Sequence, residues 1–308
     1  MSADPFAGLL AVSGVVVLDG AMGTELERRG DDLHDPLWSA RVLLEAPERV
    51  REVHASYFAA GADVAISASY QASFEGLAAR GVDREAARAL LRRSVEVARE
   101  AAGAAPGRTE RLVAASIGPY GAYLGNGAEY TGEYDLDEDG LVAFHLPRLE
   151  ALAEAAPDAF AVETIPSVVE ARALVRALAE VPEIPAWMSF SCRDGAHLCD
   201  GTRFDDAVDV AASAPSVVAI GVNCTSPIHV PSLIELARAH TRHPVVCYPN
   251  RGSFYDPVRR DWFDPPRQDP RPALRPLAWR EAGARLIGGC CGTTPEDIAA
   301  MANGLRAA

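Results

Sequence analysis

The sequence contains no lysine; every one of its 29 Lys+Arg residues is arginine. Schiff-base chemistry at a side-chain amine is thereby excluded, and with it the lysine aldolases and pyridoxal phosphate enzymes. A Walker A loop is excluded too, because it requires Gly-Lys-Ser/Thr. The richness in alanine, arginine and glycine gives the absence a plain origin in base composition, but the chemical exclusion holds whatever its cause. No apolar run reaches the roughly 18 residues of a membrane span. The opening MSADPFAGLLAVSG has neither the basic start nor the long apolar centre of a secretory signal. These absences predict a cytoplasmic, reducing location, where six cysteines are thiols or metal ligands rather than disulfides. Positive charge is also short. The net charge of −14 argues against nucleic acid or an anionic membrane as a partner.

What is present is a substantial core: 308 residues, 49% of them hydrophobic. Short β-branched runs recur at 15–19, 63–67, 111–118, 160–164, 186–191, 217–223, 244–248 and 284–289. Helical patterns lie between most of them. In PERVREVHASYFAAG, Val50, Val53 and Tyr57 recur at helical spacing, with Pro47 at the first helical position and Gly61 as the stop. SVVEARALVRALAE opens on Ser167 and Glu170, the pattern of a capping box. TPEDIAAMANGLRA opens on Thr294 as N-cap, followed by Pro295. Eight strands alternating with helices predict an α/β fold, a (β/α)8 TIM barrel forming one domain over residues 1–308. A doubly wound sheet is the alternative, weakened because no GxGxxG follows the first strand. No linker, charge block or low-complexity tract divides the chain. The Pro-rich DWFDPPRQDPRPALRP (261–276) reads as a long loop between the seventh strand and the last helix.

In such a barrel the active site forms at the C-terminal ends of the strands. Those ends carry Asp19, Ser67 and Ser69, Glu163, Asn223 with Cys224, and Cys290 with Cys291. Strands six and eight are separated by one strand, so three cysteines converge on one mouth. Three thiolates leave one open position on a tetrahedral zinc, the catalytic rather than the structural pattern. Gly288, Gly289 and Gly292 are expected to supply the freedom that neighbouring ligands need. Two alternatives stand beside zinc on position alone: three small buried hydrophobes, or a strained vicinal disulfide. His229 follows Cys224 closely enough to be a fourth ligand. His240 and His243 fall at the other end of the barrel, and His34, His54, His145 and His197 show no ligand spacing. Cys247 reads as core, while Cys192 and Cys199 match no zinc template. Asp19 and Glu163 form a carboxylate pair that either clamps a substrate ammonium or meets an arginine. The glycines and tyrosines of GPYGAYLGNGAEYTGEYD (118–135) and YPNRGSFYD (248–256) suit lids or ordinary surface loops.

LDGAMGTELERRG (18–30), SASYQAS (67–73), GPYGAYLGNGAEYTG (118–132), VETIP (162–166), GVNC (221–224), YPN (248–250) and GGCCGTTPEDI (288–298) together resemble the homocysteine S-methyltransferases. The resemblance is to the branch that uses S-methylmethionine or S-adenosylmethionine, and it spans nearly the whole chain. It implies that Cys224, Cys290 and Cys291 are zinc ligands, with homocysteine sulfur as the fourth. It implies that Asp19 and Glu163 hold the homocysteine amino group, and that Ser67 and the backbone around Ala21 and Met22 hold its carboxylate. Asn223, beside a ligand, is expected to steady the substrate site. The small-molecule partners are then homocysteine and a sulfonium donor. The alternatives are a betaine-using relative, because that family shares the zinc motif, and a non-catalytic zinc- or thiol-binding barrel.

Overall fold

The structure, a computed structural model, describes residues 4–33, 39–107, 110–252 and 274–308, and the backbone of 254–256 and 261–263. Its centre is a barrel of eight parallel strands: β1 (Val16–Val17), β2 (Val64–Ile66), β3 (Leu112–Ile117), β4 (Ala159–Ile165), β5 (Ala186–Phe190), β6 (Val217–Asn223), β7 (Val245–Tyr248) and β8 (Ala284–Ile287). Each strand pairs with its neighbour in sequence, and β8 pairs with β1. A parallel bridge between Leu18 and Val64 closes the ring between β1 and β2. All eight strands expected from β-branched runs are present. The doubly wound alternative is overturned by this strand order.

Two apolar layers follow from the alternation of each strand. The outer layer packs strands against helices and holds Leu91, Val95, Phe160, Leu174 and Ile220. The inner layer fills the barrel with Val16, Leu18, Val64, Leu286 and, largest of all, Trp187. Trp187 fits because its neighbours in that layer are mostly small: Ala114, Ala159, Ala161 and Ala219. Below it, the ring of Phe6, the residue preceding the helix Ala7–Ser13, lies 5.9 Å from the indole centroid. Above it, the indole N–H donates to the Tyr248 hydroxyl at 2.9 Å. The barrel is thus packed solid up to Tyr248, and polar chemistry begins at that level.

The helix Pro47–Ala59 starts at Pro47, and Gly61 beyond its end takes φ +102°. The helix Pro295–Ala307 carries a complete capping box between Thr294 and Asp297. The box expected at Ser167 is only half formed. The Ser167 hydroxyl caps the Glu170 amide, but the Glu170 carboxylate turns inward. It accepts from the Tyr120 amide at 2.6 Å and lies 2.9 Å from His145 Nε2. A fully buried imidazole and a buried loop amide need an acceptor more than a helix N-terminus already capped by a hydroxyl. Within the stretch expected as one long loop, Asp261–Phe263 pairs antiparallel with Phe254–Asp256, and a helix Pro276–Ala282 precedes β8. The rest of that expectation lies outside the described residues.

Trp187→Ala empties the middle of the barrel, where the surrounding alanines cannot close in. It is expected to destabilise the fold by about 3–5 kcal/mol, measured as a lower denaturation midpoint in guanidinium chloride.

Candidate metal and substrate site

At the C-terminal mouth lies a cavity of about 330 Å³. Strand ends supply its sulfur. The Cys224 Sγ lies 2.9 Å from Cys290 Sγ and 3.6 Å from Cys291 Sγ. The three ligand atoms fall within 4.8 Å of one another, the one such group of three among the described residues. Neighbouring cysteines can face one point because the chain turns sharply after β8. The Gly289 amide donates to Asp19 O, Cys290 to Pro249 O, and Thr293 back to Cys290 O. Gly292 takes φ +78° in that turn. Gly288 and Gly289 serve closeness rather than conformational freedom. A Cβ on Gly288 would lie 2.6 Å from Leu18 Cβ, and one on Gly289 2.5 Å from the Thr293 side chain. The Sγ–Sγ distances exceed the roughly 2.05 Å of a disulfide, and all six cysteines are free thiols. Hydrogen bonds from Cys224 and Cys290 lower the Cys291 thiol well below its ordinary range.

Cys224 sits at φ +46°, and Thr164 at the end of β4 sits at φ +63°. Neither is glycine, so each conformation costs about 1–3 kcal/mol. Asn223 holds both in place. Its Oδ1 accepts from the Thr164 amide at 2.7 Å and from the Ser189 hydroxyl at 2.9 Å. Its Nδ2 donates to Thr164 Oγ1 at 2.8 Å. Asn223 is fully buried and does not line the cavity. Its amide is spent on Thr164, beside Glu163, and on Ser189, so it acts on the backbone of the site.

Asp19 and Glu163 both line the cavity. Burial pushes Asp19 well above the usual carboxylate range, opposed by the Ile66 amide that donates to it at 2.9 Å. Burial likewise pushes Glu163 up to about 7, against the pull of the Ser116 hydroxyl that donates to it. Among the described residues neither has an arginine partner. Ala21, Met22 and Ser67 also line the cavity, but two of them have internal partners. The Ala21 amide donates to Thr293 Oγ1 at 3.2 Å. The Ser67 hydroxyl lies 2.8 Å from Ser69 Oγ and accepts from the Ser116 amide.

His229 stands apart from the sulfur cluster, at the start of the helix Val230–His240. His240 bonds Asp209, and His197 bonds Asp194. His54 is buried, with Nδ1 4.0 Å from Asp19 Oδ2. His34 lies outside the described residues. Sequence reasoning missed Tyr70, Glu129, Tyr130 and Thr164, which share the cavity with the cysteines. The Tyr130 hydroxyl reaches Cys224 Sγ at 3.5 Å. Burial pushes Glu129 up to about 7. Glu129 and Tyr130 fall in the glycine-punctuated loop expected to be either a lid or an ordinary surface loop, but no periodicity there tells which side chains turn inward.

Fold and site define a class: a (β/α)8-barrel enzyme whose strand ends carry a three-cysteine centre able to hold a metal. The sequence profile described as homocysteine S-methyltransferase matches residues 16–305. Homocysteine S-methyltransferase YbgG of Bacillus subtilis is 48% identical, over 98% of this chain and 99% of its own. The homocysteine S-methyltransferase of Escherichia coli is 47% identical, over 97% of each chain. The metallated crystal structure of the E. coli homocysteine methyltransferase MmuM superposes with a TM-score of 0.86 at 45% identity, over 98% of this chain and all of that one. The chain belongs to the homocysteine S-methyltransferase family, and its activity is methyl transfer to homocysteine.

Asn223→Ala leaves the Thr164 amide unsatisfied, removes one of the partners of the Ser189 hydroxyl and frees the backbone beside Cys224. Metal affinity is expected to fall about 10–100-fold, read by competition with a chelating dye. The buried carboxylates also set a pH dependence. Folding raises Glu163 from its ordinary 4.5 to about 7, so its stabilising contribution is complete below about 4.5 and is lost as pH rises through about 7. The thermal midpoint of the ligand-free, reduced protein is therefore expected to fall across that window more steeply in wild type than in Glu163→Gln. Comparing the two isolates Glu163 from His54, which burial lowers to about 3 and which acts with the opposite sign.

Proposed function

We propose that the metal is zinc held by Cys224, Cys290 and Cys291, and that the methyl donor is a sulfonium, S-methylmethionine or S-adenosylmethionine. The observation that carries this reading is the lining of the cavity. It has three thiols beside three carboxylates (Asp19, Glu129, Glu163) and, among the described residues, no arginine or histidine. Such a lining suits substrates that arrive with positive charge. The residues fit the metal: three soft sulfur donors lie within reach of one centre, and no carboxylate competes within that cluster. When bound, zinc would ionise the homocysteine thiol at neutral pH, where a free aliphatic thiol is mostly protonated.

The chain's own residues do the rest. Asp19 and Glu163 hold the homocysteine ammonium, whose charge favours their ionised forms against burial. Ser67 and the backbone around Ala21 and Met22 flank its carboxylate. Asn223 fixes the backbone on which Glu163 and Cys224 stand. Alignment of sulfur and methyl in one cavity supplies the proximity that an in-line transfer needs. The leaving group is a neutral thioether, so no general acid is required, in keeping with a lining that has no histidine among the described residues. The net charge of −14 supports small molecules rather than nucleic acid as partners. The six free thiols support a reducing, cytoplasmic setting.

The test follows methionine formation from homocysteine with each sulfonium, in wild type and Cys290→Ser, with metal content recorded for both. Wild type is expected to retain zinc and turn over. Cys290→Ser is expected to lose both, its metal affinity falling by more than the roughly 10–100-fold that loss of an outer-shell partner costs. X-ray absorption is expected to show a sulfur ligand gained when homocysteine is added. Bound zinc with turnover on betaine alone would overturn the donor assignment.

A further inference from the structure

The lining contains one more carboxylate than homocysteine requires. Asp19 and Glu163 sit together, close enough for the Glu163 charge to act on Asp19. Glu129 comes from a different loop, on the sulfur side of the cavity. The next residue, Tyr130, reaches Cys224 Sγ at 3.5 Å. The Glu129 Oε2 is buried and has no hydrogen-bond partner among the described residues. A buried carboxylate oxygen without a donor is an unmet demand for an N–H or O–H. Among the described residues, no arginine or histidine lines the cavity to meet it.

The backbone beneath Glu129 is fixed on every side. The Glu129 carbonyl accepts from the Ser191 hydroxyl at 3.0 Å. The Ala128 amide donates to the Asn126 side chain at 3.0 Å, and the Gly132 amide to the Ala128 carbonyl at 2.7 Å. A Cβ on Gly121 would lie 2.4 Å from the Glu129 amide nitrogen, so the preceding helix packs directly on this turn. The backbone that carries the carboxylate is therefore fixed in advance of a partner, the arrangement of a recognition group.

We propose that Glu129 binds the α-ammonium group of the methyl donor, and so selects amino-acid sulfonium donors over cations that carry no N–H. The inference rests on the proposed function, in which two cationic amino acids meet in one cavity. Homocysteine brings one ammonium, matched by Asp19 and Glu163. The donor brings a second, and its methyl must approach the sulfur cluster that Glu129 flanks. An orphaned oxygen asks for a hydrogen-bond donor, which an ammonium has and a sulfonium or quaternary ammonium lacks.

The test uses Glu129→Gln, which keeps the shape of the side chain, in the zinc-loaded protein. Calorimetry measures binding of S-methylmethionine, of its deaminated dimethylsulfonio-butanoate counterpart, and of homocysteine, each alone. Wild type is expected to bind S-methylmethionine at least about tenfold more tightly than the deaminated compound. In the variant that preference is expected to collapse, with homocysteine affinity unchanged; the latter also shows that the site is intact. In turnover, KM for S-methylmethionine is expected to rise by a similar factor while KM for homocysteine stays constant. Equal weakening of both sulfonium compounds would overturn the proposal in favour of a general charge effect. Weakened homocysteine binding would overturn it by placing Glu129 in the acceptor site, and unchanged binding of all three would overturn it outright. Calorimetry reads Glu129 separately from the activity: wild type that binds S-methylmethionine without turnover counts against the donor assignment, whatever the variant does.

Discussion

One side-chain amide ties the two halves of the site together. Asn223 holds Thr164 through two hydrogen bonds, one from its backbone amide and one to its hydroxyl, while its own main chain leads directly into Cys224. Both neighbours sit in the left-handed region that β-branched and other L-residues avoid. The strain persists because the surrounding network leaves no alternative: Asn223 meets Ser189, Ser189 lies 2.7 Å from the Tyr248 hydroxyl, and Tyr248 meets Trp187 in the barrel core. The carboxylate of Glu163 and the sulfur of Cys224 are thus positioned by one rigid assembly across β4, β5 and β6. A shift in either is resisted by the packing of the barrel itself, which suits a reaction that depends on alignment.

The same economy appears at the second sulfur-bearing edge. Cys290 and Cys291 face the cavity because glycines at 288 and 289 let the chain pass against Leu18, Asp19 and Thr293 without a side chain between. The Gly289 amide bonds the Asp19 carbonyl, so the turn that carries two thiols is pinned to the residue that carries a carboxylate. Tyr57 adds a further tie, its hydroxyl reaching the carbonyls of Ala21 and Thr293. Sulfur and carboxylate are neighbours by construction in both places.

Much of this was legible in the sequence, for definite reasons. The strands read cleanly because each is a short apolar run bounded by helix signals, and a barrel follows from eight repeats. The cysteines read as a cluster because position at a strand end is a topological property, visible once the strands are counted, and the family resemblance sharpened it. What did not read was the direction of side chains in irregular backbone. Glu170 has the spacing of a capping residue yet serves His145 and Tyr120, a choice made by burial and invisible to local pattern. Thr164 carries no mark of its left-handed conformation, because no local rule assigns that geometry to a threonine. Glu129 lies in a loop whose glycines announce a turn but not its inward face. Gly288 looked like a hinge and is a point of contact, a distinction that only the neighbouring strand reveals.

The acidic lining has a bearing on which cellular thiols can enter. Homocysteine carries a single carboxylate balanced by an ammonium, so it reaches the sulfur cluster without net repulsion. A peptide thiol such as glutathione brings two carboxylates and one ammonium. It would have to bury its excess negative charge among Asp19, Glu129 and Glu163, where no arginine or histidine among the described residues lines the wall to receive it. The charge of the vestibule then works against such a thiol.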